Sequence, residues 1–170
     1  MKKLLLFILL LPCLSYGQKI PDYGFDKVTI VTEEQTIQAQ LLPVETEPAK
    51  KQDLFYYWYS GNIIHKTQGS FSGRLLDGSY NAYYPDKSLK EQGTFVKGLK
   101  DGLWRTWNEG GTLTELLTWK DGIKSGKFEL FDDQGNLKVS GKYRHNVIMT
   151  KDTSSFWKKI NILKKKKKTA

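Results

Sequence analysis

From Ser79 onward, short runs of β-branched, aromatic and aliphatic residues alternate with tight clusters of Pro, Asp, Asn and Gly. Ser79 to Tyr84 reads as a strand, closed by Pro85-Asp86-Lys87-Ser88 and followed by a second strand from Leu89 to Val96. Leu103 to Trp107, then Asn108-Glu109-Gly110-Gly111, then Thr112 to Trp119 repeat the scheme. Lys127 to Phe131, Asp132-Asp133-Gln134-Gly135 and Asn136 to Tyr143 repeat it again. Apolar runs bounded by turn residues predict hairpins. Asp-Gly steps at 77-78, 101-102 and 121-122 are expected at the joins, where tight turns need positive φ. The long joins, such as Lys97-Gly98-Leu99-Lys100-Asp101-Gly102, read as loops between hairpins. No helical stripe interrupts this stretch. The expected fold is all-β, an elongated antiparallel sheet of tandem hairpins.

The scheme has a period of 24 residues. Gly78, Gly102 and Gly126 share one phase; Tyr80, Trp104 and Phe128 share the next, followed by Tyr83, Trp107 and Phe131. Leu89, Leu113 and Leu137 recur likewise, as do Phe95, Trp119 and Tyr143. Gly98 and Gly122 are matched by Asn146, and Asn is the residue that best replaces Gly at positive φ. The units are 77–100, 101–124 and 125–148, preceded by a degenerate copy at 54–77 that holds Tyr56, Tyr59, Gly69 and Phe71 in phase. There Gly73 comes one place early, and terminal repeats are often atypical.

The second strand of a unit alternates cleanly, as in Leu113, Glu115, Leu117 and Trp119. In the first strand Trp104 and Trp107 lie three apart and would face opposite sides of a flat strand; a bulge or sharp twist would reconcile them. Aromatics of adjacent units are expected to stack into one continuous strip.

Gly102-Leu103-Trp104-Arg105-Thr106-Trp107, followed by Gly111-Thr112-Leu113 and Trp119-Lys120-Asp121-Gly122, resembles the MORN repeat in its bacterial MORN-variant form. Tyr80 to Gly98 and Phe128 to Asn146 are similar, and the resemblance covers about residues 55 to 148. Lys87 and Leu117 depart from it at expected glycines, and Asn146 is a further departure. The resemblance implies elongated antiparallel sheets of successive hairpins used for protein or lipid contact. Many bacterial members carry an antitoxin label, which fits poorly with a signal sequence of the kind described next.

Met1-Lys2-Lys3, the apolar run Leu4 to Leu11 and the small residues before Gln18 match a secretory signal peptide over 1–17, cut near Gly17-Gln18. The run is too short for a permanent span. Cys13 is the only cysteine, and Pro12 before it argues against a lipoprotein. A chain cut at Gln18 holds no cysteine and forms no disulfide. Residues 18–53 contain two candidate strands, Lys27 to Val31 and Thr36 to Leu42, expected to pair with the first hairpin and cap its edge.

Net charge is +9, but it is uneven. Two of the 27 Lys and Arg leave with the signal peptide and seven lie between Lys158 and Lys168; the rest equal the 18 acidic residues in number. The tail, 149–170, places Phe156, Ile160 and Leu163 at helical spacing with Trp157 beside them. Lys158 and Lys159 flank that face, and Lys164, Lys165, Lys166, Lys167 and Lys168 follow. Such a segment suits an anionic membrane surface, each lysine contributing about 1 kcal/mol there. The alternative is a disordered, solubilising tail.

His65 and His145 stand far apart with no ligand at metal-site spacing, so no metal or cofactor is expected. Asp132-Asp133 reads as turn chemistry, and no phosphate loop or nucleophile–base pair is visible. Tyr56, Tyr57, Trp58 and Tyr59 run consecutively, so alternate members face opposite sides. Two are expected to pack inward; the others are covered by the amino-terminal strands or form a protein-binding face. The expected function is a non-catalytic, exported protein-binding or scaffolding module of the cell envelope. An antitoxin- or immunity-like inhibitor is the second reading, and an envelope hydrolase or carbohydrate-binding protein the third. Export and a neutral body argue against nucleic acid, and no small-molecule substrate is indicated.

Overall fold

The computed structural model describes residues 26–43 and 48–149. It is all-β, and among the described residues there is no helix. The strands are β1 (Lys27–Val31), β2 (Thr36–Leu41), β3 (Phe55–Ser60), β4 (Ile63–Gln68), β5 (Arg74–Tyr83) and β6 (Leu89–Val96). They continue with β7 (Leu99–Trp107), β8 (Leu113–Lys120), β9 (Ile123–Phe131), β10 (Leu137–Arg144) and β11 (Val147–Met149). The sheet runs β1-β2-β5-β6-β7-β8-β9-β10-β11, all neighbours antiparallel, with the β3–β4 hairpin off this path.

Two kinds of turn alternate along the array. Inside each unit a five-residue turn closes on itself: the Lys87 N–H donates to Tyr84 O and the Tyr84 N–H to Ser88 O, both at 2.9 Å. Asn108 to Thr112 and Asp132 to Asn136 repeat this bonding at 3.0 Å. The fourth residue is left-handed in all three, φ 71° at Lys87, 75° at Gly111 and 84° at Gly135. Lys87 therefore stands at a position that favours glycine. Between units the chain turns on two residues only. Lys97-Gly98 has φ 50° and 80°, Asp121-Gly122 49° and 78°, and His145-Asn146 51° and 65°. Two successive positive φ values suit the twist of flanking strands.

These tight turns correct the expected loops. Val96 already pairs with Leu99, and Lys120 with Ile123, so the joins are strand almost at once. Only Asp121-Gly122 is a turn; Asp77-Gly78 and Asp101-Gly102 lie inside β5 and β7. Inside β5, β7 and β9, Gly78, Gly102 and Gly126 take φ of 100°, 68° and 114°. At each, the ladder slips: a step of two from Gln92 to Thr94 on β6 faces a step of four from Arg105 to Asp101 on β7. Leu117 to Trp119 against Phe128 to Lys124 repeats it, as does Ala39 to Leu41 against Tyr80 to Leu76. The phased glycines are bulges that bend the sheet once per unit.

A second bulge also recurs, but on the second strand. Ala82 pairs with Glu91 and Tyr83 with Leu89, leaving Lys90 as the extra residue; Thr114 and Lys138 hold the same place. Trp104 is buried in the core, whereas Trp107 belongs to neither apolar cluster. The two indoles are thus separated, not reconciled onto one side.

The main core lies on one face of the sheet. Ile30, Ile37, Ala39, Leu76, Tyr80, Phe95, Trp104, Leu117, Phe128 and Val139 form it. Large rings dominate: Tyr80, Phe95 and Trp104 contact one another with centroids 4.9–5.6 Å apart. Burying each ring contributes about 2–3 kcal/mol. Trp104 lies over Gly93 and Phe128 over Gly141, where a Cβ would strike the ring. Leu117 stands between these rings and Phe128, which contacts Tyr143 with centroids 4.8 Å apart.

The amino-terminal hairpin caps the edge of the first regular hairpin, β5–β6, and not that of the degenerate unit. β2 pairs along β5 from Thr36↔Tyr83 to Leu41↔Leu76. An Arg74–Asp26 ion pair and an Arg74 Nη2 bond to Leu42 O (3.1 Å) fasten the crossing. The degenerate unit is consequently displaced: β3 pairs with the array through Trp58↔Leu75 and Tyr59↔Arg74, and its Tyr57 N–H donates to Gly98 O at 2.8 Å. Its strand carries aromatics on both sides, and the hairpin lies over the sheet, where both sides find cover.

Candidate functional groove

The β3–β4 hairpin covers only part of the core face, and where it ends a groove of about 330 Å³ opens. Strand alternation determines its lining. β7 contributes Lys100, Trp104 and Thr106, β8 contributes Glu115, Leu117 and Trp119, and β6 and β9 contribute Glu91 and Lys124. Tyr57 and Lys66 of the hairpin form the opposite wall.

Lys100 is the centre of this arrangement. Its Nζ lies 2.7 Å from Glu91 Oε1 and 3.6 Å from the Trp104 ring centroid, with Tyr57 and Trp119 each 5.7 Å away. Its side chain is only 13% exposed. Burial holds its pKa below the ordinary ammonium value, and the neighbouring Glu91 carboxylate opposes that shift. Lys124 repeats the geometry one unit on, its Nζ 5.4 Å from Trp119 and 5.3 Å from Tyr143. Lys66 stands 4.8 Å from the Phe55 ring and 5.5 Å from Tyr57. Ammonium groups and ring faces therefore alternate across the sheet, an attraction stronger where water is excluded. Burial pushes the Tyr57 hydroxyl up to about 12, and the Glu91 charge adds to the shift.

The aromatic run in β3 divides between two cores. Tyr56 is 2% exposed in a second cluster with Leu42, Leu54 and Leu75, and its hydroxyl accepts the Lys51 N–H at 2.9 Å. Trp58 packs against that same cluster, donates to Thr67 Oγ1 at 2.8 Å and stacks on His65 at 4.2 Å. Tyr57 and Tyr59 pack on the main core, and only Tyr57 also lines the groove. Phe156, Trp157, Ile160, Leu163 and the tail lysines lie outside the described residues, as do the signal segment and Cys13.

Sequence reasoning missed Lys100, Lys124, Glu91 and Glu115. Their signal was present: each pair is separated by one full period. Attention to apolar and glycine phases alone passed over it. A second hollow of about 300 Å³ lies beside the turns, among Lys51, Asp53, Lys120, Asp121 and His145. Among the described residues no three His, Cys, Asp or Glu side chains are grouped to hold a metal ion. Comparison with protein-family models, curated proteins and solved structures returns no match.

Proposed function

We propose that this chain is a non-catalytic, exported binding module of the MORN-variant type that engages another protein at the cell envelope. One observation carries the reading: beside the β3–β4 hairpin the core face presents half-buried Tyr57, Trp119 and Tyr143, interleaved with Lys and Glu. Trp and Tyr dominate the energetics of protein interfaces, because one rigid ring covers much area at little entropic cost. Rings already held against lysines lose still less freedom on binding. The lysine block of the tail adds attraction to an anionic membrane surface.

Crosslinking the protein in its own envelope tests this reading. The expected outcome is a discrete partner protein whose capture falls sharply in a Trp119→Ala, Tyr143→Ala chain. Capture unchanged by loss of both rings overturns it. Sedimentation with anionic vesicles tests the tail: the full mature chain binds at low salt and a chain ending at Thr153 does not. Equal binding by the two removes the membrane role.

A further inference from the structure

We propose that the groove between the β3–β4 hairpin and strands β7–β9 receives an acidic side chain, Asp or Glu, from an extended segment of the partner protein. This inference rests on the protein-binding reading and specifies its chemistry. Three ammonium groups, Lys66, Lys100 and Lys124, face one space together with two carboxylates, Glu91 and Glu115. The lining therefore carries one positive charge in excess. Glu91 is engaged by Lys100 at 2.7 Å. Lys66 and Lys124 hold their ammonium groups over ring faces, where three donors on a flexible stem remain able to swing toward an anion.

Like charge adds to the case. Burial disfavours the ammonium form of Lys100 most; Glu91 and Glu115 oppose this, and the charge of Lys66 adds to it, so the two lysines repel across the groove. A carboxylate placed between them relieves that repulsion and forms charge-assisted hydrogen bonds. A monoanion matches a single excess charge, whereas a phosphate dianion would also face Glu91 and Glu115. Tyr57 and Trp119 form walls for the aliphatic part of the entering side chain. The site thus selects a carboxylate on an apolar stem.

The test follows the Trp119 indole N–H by NMR in the full mature chain. Two capped pentapeptides of alternating Val and Glu or Val and Gln are titrated, with inorganic phosphate as a third arm at matched ionic strength. The Glu peptide is expected to shift the indole resonance saturably and the Gln peptide to leave it in place. Lys66→Gln and Lys124→Gln should each weaken the Glu peptide by about fivefold, and Lys120→Gln, at the end of β8 and outside the groove, should not. Equal binding of both peptides, or binding of neither, overturns the proposal. Saturable binding of phosphate without the peptide overturns it in favour of a free-anion site. If envelope capture needs the rings yet is undiminished in a Lys66→Gln, Lys124→Gln chain, the groove proposal falls while the protein-binding reading stands.

Discussion

Gly93 and Gly102 lie on adjacent strands and are required for different reasons. Gly93 has an ordinary backbone, but a Cβ there would strike the Trp104 indole. Gly102 has φ 68° and no atom within 4 Å of an added Cβ. Gly93→Ala is expected to dislodge the ring, costing about 2–3 kcal/mol by overpacking. Gly102→Ala is expected to cost about 1–2 kcal/mol from the left-handed backbone alone. Urea unfolding gives both values, and near-ultraviolet circular dichroism should change only for Gly93→Ala. Tyrosines yield a second prediction. Burial raises Tyr57 to about 12 and Tyr80 further, against 10.0 for the free group. Above pH 10 the unfolded chain loses protons that the folded chain keeps, so stability falls as pH rises. Absorbance of tyrosinate should show these two hydroxyls ionising last, and Tyr57→Phe should remove one late proton and lessen the alkaline loss. The period locates Tyr80 but not Tyr57, and it does not show that the Glu91 carboxylate faces both.

At the level of elements, successive units are coupled through their turns. Gly98 N–H donates to Leu76 O (2.7 Å), Gly122 N–H to Lys100 O (2.9 Å) and Asn146 N–H to Lys124 O (3.0 Å). Side chains reinforce each step. The Asp77 carboxylate accepts the Lys97 N–H at 2.8 Å and Asp101 accepts that of Asp121 at 3.0 Å. Ser125 offers no carboxylate, and there the bond runs the other way, from the Lys124 N–H to Asn146 Oδ1 at 2.8 Å. Asp101→Ala is expected to lower stability by about 1 kcal/mol and to speed hydrogen exchange at Asp121 more than at Lys97. These links explain why Asp-Gly misled as a turn signal. The dipeptide has one chemistry, a short acceptor followed by a residue free to take positive φ, and it serves turn or bulge equally. What decides is a partner 20 residues away, Asp121 for Asp101, which local reading does not reach. The in-unit turns were legible because the backbone bonds that close each one run between its own residues.

For the whole molecule, the period revealed the array from β5 to β10, while the position of β3–β4 was hidden. In a regular array β4 would lie beside β5; instead β2 holds that edge, with Ile37, Ala39 and Leu41 buried along it. β3 is suited to the other place, because Tyr56 and Tyr57 need cover on opposite sides. Gly73, one place out of phase, lies where an added Cβ would strike Tyr59 O of β3. Repeats whose interfaces are equivalent can be removed one at a time. Deleting 101–124 joins Lys100 to Ser125 in phase, so that Phe128 replaces Trp104 over Gly93 and Gly126 supplies the bulge. The shortened chain should keep its β-sheet circular dichroism and unfold cooperatively, with a smaller m-value for the smaller surface exposed. Deleting 101–122 breaks the phase, sets turn residues against core positions and should abolish the transition. The in-phase deletion should also empty the groove of its chemistry. Val139 takes the place of Glu115 and Ile148 that of Lys124, leaving Lys66, Lys100 and Glu91. Loss of Glu-peptide binding in a chain that still folds would separate the two roles of the repeat, one in building the sheet and one in lining the groove.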